Sequence, residues 1–400
     1  MHTLADNVFI TSVLNPNMRI FDVEMCTEFG TSYNSYLVVG DEKIALIDAN
    51  HATFTDEWLA RVESILDGRN PDYLVLNHTE PDHSGCVSAY VEHYPEVTIV
   101  CSPSAAINIK NITNMPALTP KVVKDGDSID LGGMTLQFIG APFLHWPDTM
   151  VTWLPEKKIA FTCDFLGAHF CEPRLFDHKI IYQNDYAAAF KNYYDAIMAP
   201  FAPWVQKGLD KLEALNADIV APSHGPILTK ENELPRCMQQ YREWSAPVSS
   251  DEPFKVTLFY CSAYGNTTRL AHSIAEGIQS ALPNAQVTTY DLVGADIAKM
   301  GAQLNSSDAI LIGSPTINRD ALPTVWKLLA HIDAINIAKR PVALFGSYGW
   351  SGEALPALAE RFAALKADVY EAQFRVQLVP SEEDLTAAKA FGEKFARSLT

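Results

Sequence analysis

Between Leu76 and Gly85 the chain reads Asn77-His78-Thr79-Glu80-Pro81-Asp82-His83-Ser84, which places four side chains able to ligate a metal within six residues. If this stretch is an extended loop, alternate positions project the same way and His78, Glu80 and Asp82 can line one cavity. Three further candidates stand in comparable settings: His145 in Leu144-His145-Trp146-Pro147-Asp148, Asp164 in Thr162-Cys163-Asp164-Phe165, and His224 in Pro222-Ser223-His224-Gly225-Pro226. Each adjoins the end of an expected strand, where loops carry function on a rigid scaffold. Imidazole and carboxylate together are the ligand chemistry of zinc and of non-haem iron.

A second group of residues could hold a phosphate and a planar ring. Ser262-Ala263-Tyr264-Gly265-Asn266-Thr267-Thr268 runs from an expected strand into an expected helix, so hydroxyls and free backbone N–H groups gather at a helix N-terminus. The stretch is neither G-x-G-x-x-G nor a Walker loop, and it contains no lysine, which argues against nucleotide triphosphate cleavage. Two more loops follow later strands: Gly313-Ser314-Pro315-Thr316-Ile317-Asn318, and Gly346-Ser347-Tyr348-Gly349-Trp350-Ser351-Gly352. Ligands of open α/β sheets bind in the crevice at those carboxyl ends, and Tyr348 and Trp350 are aromatic enough to meet a flat ligand there.

The elements that must position these residues divide into two sets. In the first half, Ser35–Val39 and Ile44–Asp48 flank a Gly40-Asp41-Glu42-Lys43 turn as a hairpin. Trp58–Leu66 is helical in spacing and Asp72–Leu76 is a short buried strand leading into the ligand-rich loop. Further strands are expected at Thr98–Cys101, Met134–Ile139, Met150–Trp153, Ile159–Thr162 and Asp218–Ala221, with a helix over roughly Tyr186–Met198. Ser245–Pro253 is short, polar and bounded by proline, as a linker is. Beyond it strands at Lys255–Tyr260, Gln286–Tyr290, Ala309–Ile312, Val342–Phe345 and Arg375–Leu378 alternate with helices at Thr267–Ala281, Leu322–His331, Ala354–Leu365 and Ser381–Ser398. That alternation predicts an open five-stranded parallel sheet. Domains are therefore expected at residues 1–248 and 254–400.

Composition narrows the classes of function. The 400 residues are 48% hydrophobic and 20% charged, values of an ordinary globular protein with ample core. A net charge of −18 argues against nucleic-acid binding. The thirteen basic and fourteen acidic residues from Phe254 onward nearly cancel, which leaves −17 on residues 1–253. No run of about 18 uncharged apolar residues predicts a membrane span, and the N-terminus lacks an export signal. Seven cysteines with no C-x-x-C pair exclude a rubredoxin-type or zinc-ribbon module and fit reduced thiols in a cytoplasm.

The metal candidates resemble the metallo-β-lactamase superfamily, whose first motif is H-x-H-x-D-H followed by separate His, Asp and His ligands. Glu80 stands where that motif has its second histidine. The added carboxylate raises ligand charge and hardness and favours iron over zinc. On this resemblance we assign His78, Glu80 and His145 to one metal, Asp82, His83 and His224 to a second, and Asp164 to the bridge; three carboxylates offset most of the charge of a diferrous pair. The three later loops resemble those of flavodoxin, which implies FMN contacts from Ser262, Ala263, Tyr264, Gly265, Asn266, Thr267, Ser314, Pro315, Thr316, Asn318, Ser347, Tyr348, Gly349, Trp350 and Gly352.

In this order the two halves resemble the flavodiiron proteins (A-type flavoproteins) in their minimal two-domain form. The resemblance implies an N-terminal metallo-β-lactamase-like αββα sandwich followed by a flavodoxin-like doubly wound sheet. It also implies a cytoplasmic reductase of O2 to water, NO to N2O, or both, in a head-to-tail homodimer or dimer of dimers. The electron donor is then external, a rubredoxin or a flavin-type reductase. Tyr194 matches a family tyrosine near the substrate pocket, and His169 is a further candidate beside the metals. The competing readings are a dizinc hydrolase fused to a flavodoxin-like domain, which Glu80 and the flavin loops oppose, and a passive electron carrier, which the intact ligand set opposes.

Overall fold

The computed structural model describes residues 2–22, 25–247 and 252–399. The chain separates into two compact units, Met1–Pro247 and Val248–Thr400. Residues 248–251 of the expected linker lie outside the described residues.

In the first unit, strict alternation of side chains along the strands decides the layers. Tyr36, Val38, Ala45, Ile47 and Val75 point one way and pack against Leu136, Phe138, Leu154, Ile159 and Phe161 of a second sheet. The intervening Leu37, Val39, Leu46, Leu74 and Leu76 point the other way, onto the helix Thr55–Leu66 through Trp58, Val62 and Ile65. Strands apolar on both faces must be covered on both faces. The second sheet obeys the same rule: Val151, Trp153, Ala160 and Val220 face outward onto the helices Gln183–Tyr193, Ala202–Leu215 and Leu234–Trp244. The result is a sandwich of helices, sheet, sheet and helices.

The first sheet has seven strands in the order His2–Ala5, Val8–Ile10, Tyr36–Val39, Ile44–Ile47, Tyr73–Leu76, Thr98–Cys101, Lys121–Val122. The second has six, from Ser128–Asp130 through Thr135–Gly140, Met150–Leu154, Ile159–Cys163 and Ile219–Pro222 to Leu228–Thr229. A buried polar link ties the sheets together beneath the ligand-bearing loops. Asp48 accepts from the Asn77 backbone N–H at 2.7 Å, Thr152 donates to the Asn77 side-chain oxygen at 2.6 Å, and the Met150 N–H donates to the Asn77 carbonyl at 2.9 Å.

Two local expectations need correction. The segment after Glu80 is not an extended loop: Pro81–Ser84 is a helical turn, with proline at its first position. The helix expected to run to Met198 is α-helical only to Tyr193 and continues as a π-helical turn over Tyr194–Met198.

The second unit is an open parallel sheet in the order Gln286–Asp291, Lys255–Tyr260, Ala309–Gly313, Pro341–Tyr348, with its fifth position divided between Asp368–Val369 and Phe374–Gln377. Both faces carry helices. Asn266–Ala281 and Glu382–Arg397 cover one of them and approach so closely that glycine is required at the crossing. A Cβ on Gly277 would lie 2.0 Å from the Lys389 carbonyl oxygen, and one on Gly392 would lie 2.2 Å from that of Ile274. Gly277→Ala must push these helices apart and is expected to destabilise the second unit by about 1–3 kcal/mol. Thermal unfolding followed through a probe in each unit checks this; equal loss in the first unit, or none in the second, contradicts it.

Candidate metal centre and flavin cradle

The loops that bear candidate ligands leave the carboxyl ends of four strands. Tyr73–Leu76 delivers His78, Thr135–Gly140 delivers His145, Ile159–Cys163 delivers Asp164, and Ile219–Pro222 delivers His224. The helical turn at Pro81 then separates the sequence cluster into two parts. His78 and Glu80 join His145 and Asp164 in one group, and Asp82 and His83 join His224 in another; within each, the potential ligand atoms lie within 4.8 Å of one another. His78, Glu80 and Asp82 therefore do not form the single lining expected of an extended loop.

Asp164 connects the groups. Its Oδ2 lies 3.5 Å from His78 Nε2 and 3.7 Å from His145 Nε2, while its Oδ1 lies 2.9 Å from His83 Nε2 and 3.6 Å from His224 Nε2. Glu80 Oε2 completes the first group at 3.2 Å from His78 Nε2 and 3.0 Å from His145 Nε2. Asp82 Oδ2 completes the second, 3.0 Å from His224 Nε2. Each carboxylate oxygen of Asp164 thus faces a separate set of three ligands, the arrangement a bridge between two cations needs.

The donor set fits cations on a further count. Asp82 Oδ1 and Oδ2 and Asp164 Oδ2 are buried with no hydrogen-bond donor among the described residues. Buried carboxylate oxygens are costly unless a cation or a donor meets them. The imidazoles are also aimed by their outer nitrogens. His78 Nδ1 lies 3.2 Å from both oxygens of Asp148, which is itself held by the Thr79 N–H at 2.8 Å and the Thr79 hydroxyl at 2.6 Å. His224 Nδ1 lies 2.9 Å from the Ser32 carbonyl oxygen. Both contacts leave Nε2 facing the centre.

Without metal, the site balances its charge with protons. Burial opposes the charged imidazole of His83, but Asp82 and Asp164 outweigh it and push the group up to about 9. Burial likewise opposes a charged His78, yet hydrogen bonds with Asp148 and Glu80 hold it well above its ordinary value. Burial works against ionised Asp164 too, and the charge and hydrogen bond of His83 carry it well below the carboxylate range.

Tyr194, the sequence candidate near the substrate, does not reach this centre. Its ring packs on Tyr241 at 4.9 Å and Trp244 at 5.1 Å. The preceding residue does: the Tyr193 hydroxyl donates to Asp164 Oδ1 at 2.9 Å. The buried face of its helix is Tyr186, Ala189, Phe190 and Tyr193, at helical spacing, so that periodicity was the signal that selects Tyr193. Asp148 was likewise legible only as part of a motif, not as the partner of His78. His169 stays outside both ligand groups; its Nδ1 lies 2.9 Å from the Thr31 hydroxyl, and burial followed by His224 keeps it well below the usual histidine range.

Two ligand-bearing residues border a cavity. A cavity of about 340 Å³ is walled by Met18, Ile20, Phe21, Tyr33 and Phe54 and floored by Glu80, Pro81 and Asp82. Asp22 also borders it, and burial together with the neighbouring charge of Glu80 raises its carboxyl above the ordinary range.

In the second unit the three loops meet at the carboxyl end of the sheet. Ala263, Tyr264, Asn266, Pro315, Thr316, Asn318, Ser347, Tyr348, Gly349 and Trp350 share a cavity of about 300 Å³ with Ile317, Arg319, Ser351 and Leu378. Tyr264 and Trp350 are 91% and 90% exposed, broad aromatic faces left open among the described residues. Gly265, at φ 81°, begins the helix Asn266–Ala281, and no side chain caps that end through a hydrogen bond. Its first N–H groups suit a phosphate.

The remaining expected contacts do not line that cavity. Ser262 accepts from the Thr268 N–H at 3.3 Å, Thr267 pairs with Ser347 at 3.1 Å, and Ser314 accepts from the Leu322 N–H at 3.0 Å. Gly352, at φ 77°, turns the chain where a Cβ would sit 3.3 Å from Tyr348. Ser262, Thr267, Ser314 and Gly352 shape the loops in this structure, as Gly265 shapes the start of the helix.

Metal binding must expel the protons that the metal-free protein holds on His78 and His83. Titrating a divalent metal into the metal-free protein at pH 7 should release about two protons per chain, and affinity should climb with pH until His83 is neutral near 9. Proton uptake, or an affinity independent of pH, contradicts this. Asp148→Asn should weaken metal binding by about 10–100-fold through loss of the His78 anchor, measured by competition with a chelator.

Comparisons with known proteins agree with the two halves. Residues 31–225 match the model described as ODP family beta lactamase, and residues 258–392 match that of flavodoxin. The chain is 49% identical over 397 residues to flavo-diiron protein FprA2 of Clostridium acetobutylicum, covering 99% of each. It is 33% identical to a nitric oxide reductase of Moorella thermoacetica, covering 99% of this chain and 98% of that one. Among solved structures, rubredoxin oxygen:oxidoreductase from Desulfovibrio gigas superposes with a TM-score of 0.69 at 28% identity, over 99% of this chain and 98% of the other. With its ligand groups, its bridging carboxylate and these relatives, the chain belongs to the flavo-diiron protein family.

Proposed function

We propose that this protein reduces O2 to water, NO to N2O, or both, at a non-haem iron pair supplied with electrons by FMN. The iron ligands are His78, Glu80, Asp82, His83, His145, Asp164 and His224, within residues 1–248; the flavin is held within residues 254–400. The observation that carries the reading is the division of Asp164, one oxygen toward each three-ligand group. When bound, two ferrous ions and a reduced flavin supply the four electrons that turn O2 into two waters, or the two that couple a pair of NO molecules into N2O and water.

The chain's own residues prepare that chemistry. Tyr193 donates to Asp164 Oδ1 and restrains the carboxylate that would bridge the two groups. Asp148 keeps His78 Nε2 toward the metals. The apolar wall of Met18, Ile20, Phe21 and Phe54 leads a small, weakly polar gas to Glu80 and Asp82. Asp22 borders the same mouth, and burial together with the charge of Glu80 raises its carboxyl above the ordinary range. The dizinc hydrolase has less support: it assigns no task to a flavodoxin half, and Glu80 adds charge that zinc hydrolysis does not need.

The reading extends to assembly and supply. A head-to-tail homodimer, or a dimer of dimers, would set each FMN against the irons of a partner chain, and the open faces of Tyr264 and Trp350 support a docking surface there. The electron donor we propose is external, a rubredoxin or a flavin-type reductase; a solved relative is named for rubredoxin. A cytoplasmic setting is supported by seven cysteines without a disulfide.

Anaerobic reduction followed by exposure to each gas, with stoichiometry measured, tests the function. Consumption of neither gas, or two zincs and no iron in protein purified without oxygen, would overturn it. Asp164→Ala should lose iron and abolish gas consumption while FMN stays bound. Asn266→Ala should weaken FMN binding by roughly tenfold, the scale of one lost polar contact, and Thr267→Ala should weaken it by releasing Ser347 in the loop, with iron retained in both. Sedimentation decides the assembly, since a strict monomer with full turnover excludes the head-to-tail arrangement.

A further inference from the structure

Beside the bridge, aromatic side chains in contact run from Phe165 and Tyr241 through Tyr194 to Trp244. Tyr193 is hydrogen-bonded to Asp164 at 2.9 Å. Tyr241 is fully buried; its ring packs 5.7 Å from that of Phe165, the residue after Asp164, and 4.9 Å from that of Tyr194. Tyr194 in turn lies 5.1 Å from Trp244, and Tyr241 lies 6.1 Å from the same indole. Trp244 is only partly buried, and the exposed Lys191 ammonium sits 5.1 Å over its ring, so the run ends at the surface. Burial raises both phenols, and the Asp164 charge adds to it, ahead of the other charges at Tyr193 and behind Cys237 and Tyr194 at Tyr241.

We infer that Tyr193, Tyr241, Tyr194 and Trp244 form a hole-transfer chain that drains oxidising equivalents from the metal pair to the surface when reduced flavin is lacking. This rests on the oxygen-reducing reading above. Tyrosine and tryptophan are the side chains that give up one electron most readily without breaking a backbone or ligand bond. Electron transfer falls steeply with distance, so short steps between rings in contact outpace one long jump. Ordinary core packing needs neither hydroxyls nor an indole at the surface: phenylalanine would fill the same volume.

The balance is as follows. O2 needs four electrons and four protons to become two waters. Two ferrous ions give two electrons. In the chain, each of two rings gives one electron and its own O–H or N–H proton and becomes a neutral radical, and the solvent gives the other two protons. Two thiols from the surroundings then return two electrons and two protons through the surface end and leave as one disulfide. Without the chain, the missing electrons are taken from the ligand histidines or Cys163, which lies buried beside Asp164.

The test uses the iron- and FMN-loaded protein, reduced anaerobically to two electrons per chain and mixed with excess oxygen. Rapid freezing and electron paramagnetic resonance should find an organic radical, assigned by ring-deuterated tryptophan or tyrosine. After repeated starved cycles, peptide mass mapping should place added oxygen on Trp244. Trp244→Phe should shift the radical wholly onto tyrosine, with the initial rate under ample donor unchanged. Tyr241→Phe should remove the Trp244 signal, move oxidation to the ligand histidines and cut turnovers before inactivation several-fold. Oxygen consumption and iron oxidation with no organic radical and an unmodified Trp244 would overturn the inference and leave the proposed function standing; absence of oxygen uptake would sink both.

Discussion

The centre depends on one arrangement, a buried carboxylate that must share its two oxygens between separate groups of ligands. Asp164 is 1% exposed, and water cannot stabilise its charge. Four imidazoles and two further carboxylates surround it within a few ångströms, which the interior tolerates only if positive charge is supplied. Protons on His78 and His83 do this in metal-free protein, and two divalent cations would do it better, because they meet the oxygens that no donor among the described residues reaches. The preference for metal is therefore an electrostatic property of the scaffold.

What holds that arrangement is a second layer of polar contacts. Asp148 links the loop bearing His145 to the loop bearing His78, because the same carboxylate receives His78 and the Thr79 N–H. Asn77 joins the two sheets directly beneath. These groups are fully buried and satisfied, so displacement of one ligand loop breaks hydrogen bonds in the others. Rigidity at the ligands thus comes from the sandwich core, and the cavity bordered by Glu80 and Asp82 lies where that polar layer gives way to Phe21, Phe54 and Ile20.

The flavin cradle follows a different logic. Its loops keep aromatic faces open to solvent and leave helix N–H groups uncapped, a set of deficits that only a ligand with a phosphate and a flat ring makes good. The cost is borne by the tightly packed sheet beneath, where Gly277 and Gly392 allow two helices to touch backbone to backbone.

The sequence by itself carried the ligand types, their loops and the strand-to-loop settings, because strand alternation and dense polar clusters are local properties. All seven ligand candidates lie in the two groups, and the strands at Thr98–Cys101 and Lys255–Tyr260 have the ends expected of them. Local pattern did not carry the turn at Pro81, which sends Asp82 and His83 to the second group, since one proline serves a loop or a helix start equally well. The helical spacing of Tyr186, Ala189, Phe190 and Tyr193 singles out Tyr193, but only the packed helix shows that this face meets Asp164 while Tyr194 turns to Trp244. The role of Asp148 toward His78, seventy positions away, was decided by the folding of two sheets upon each other, because a hydrogen bond across that separation exists only once the core has brought its ends together.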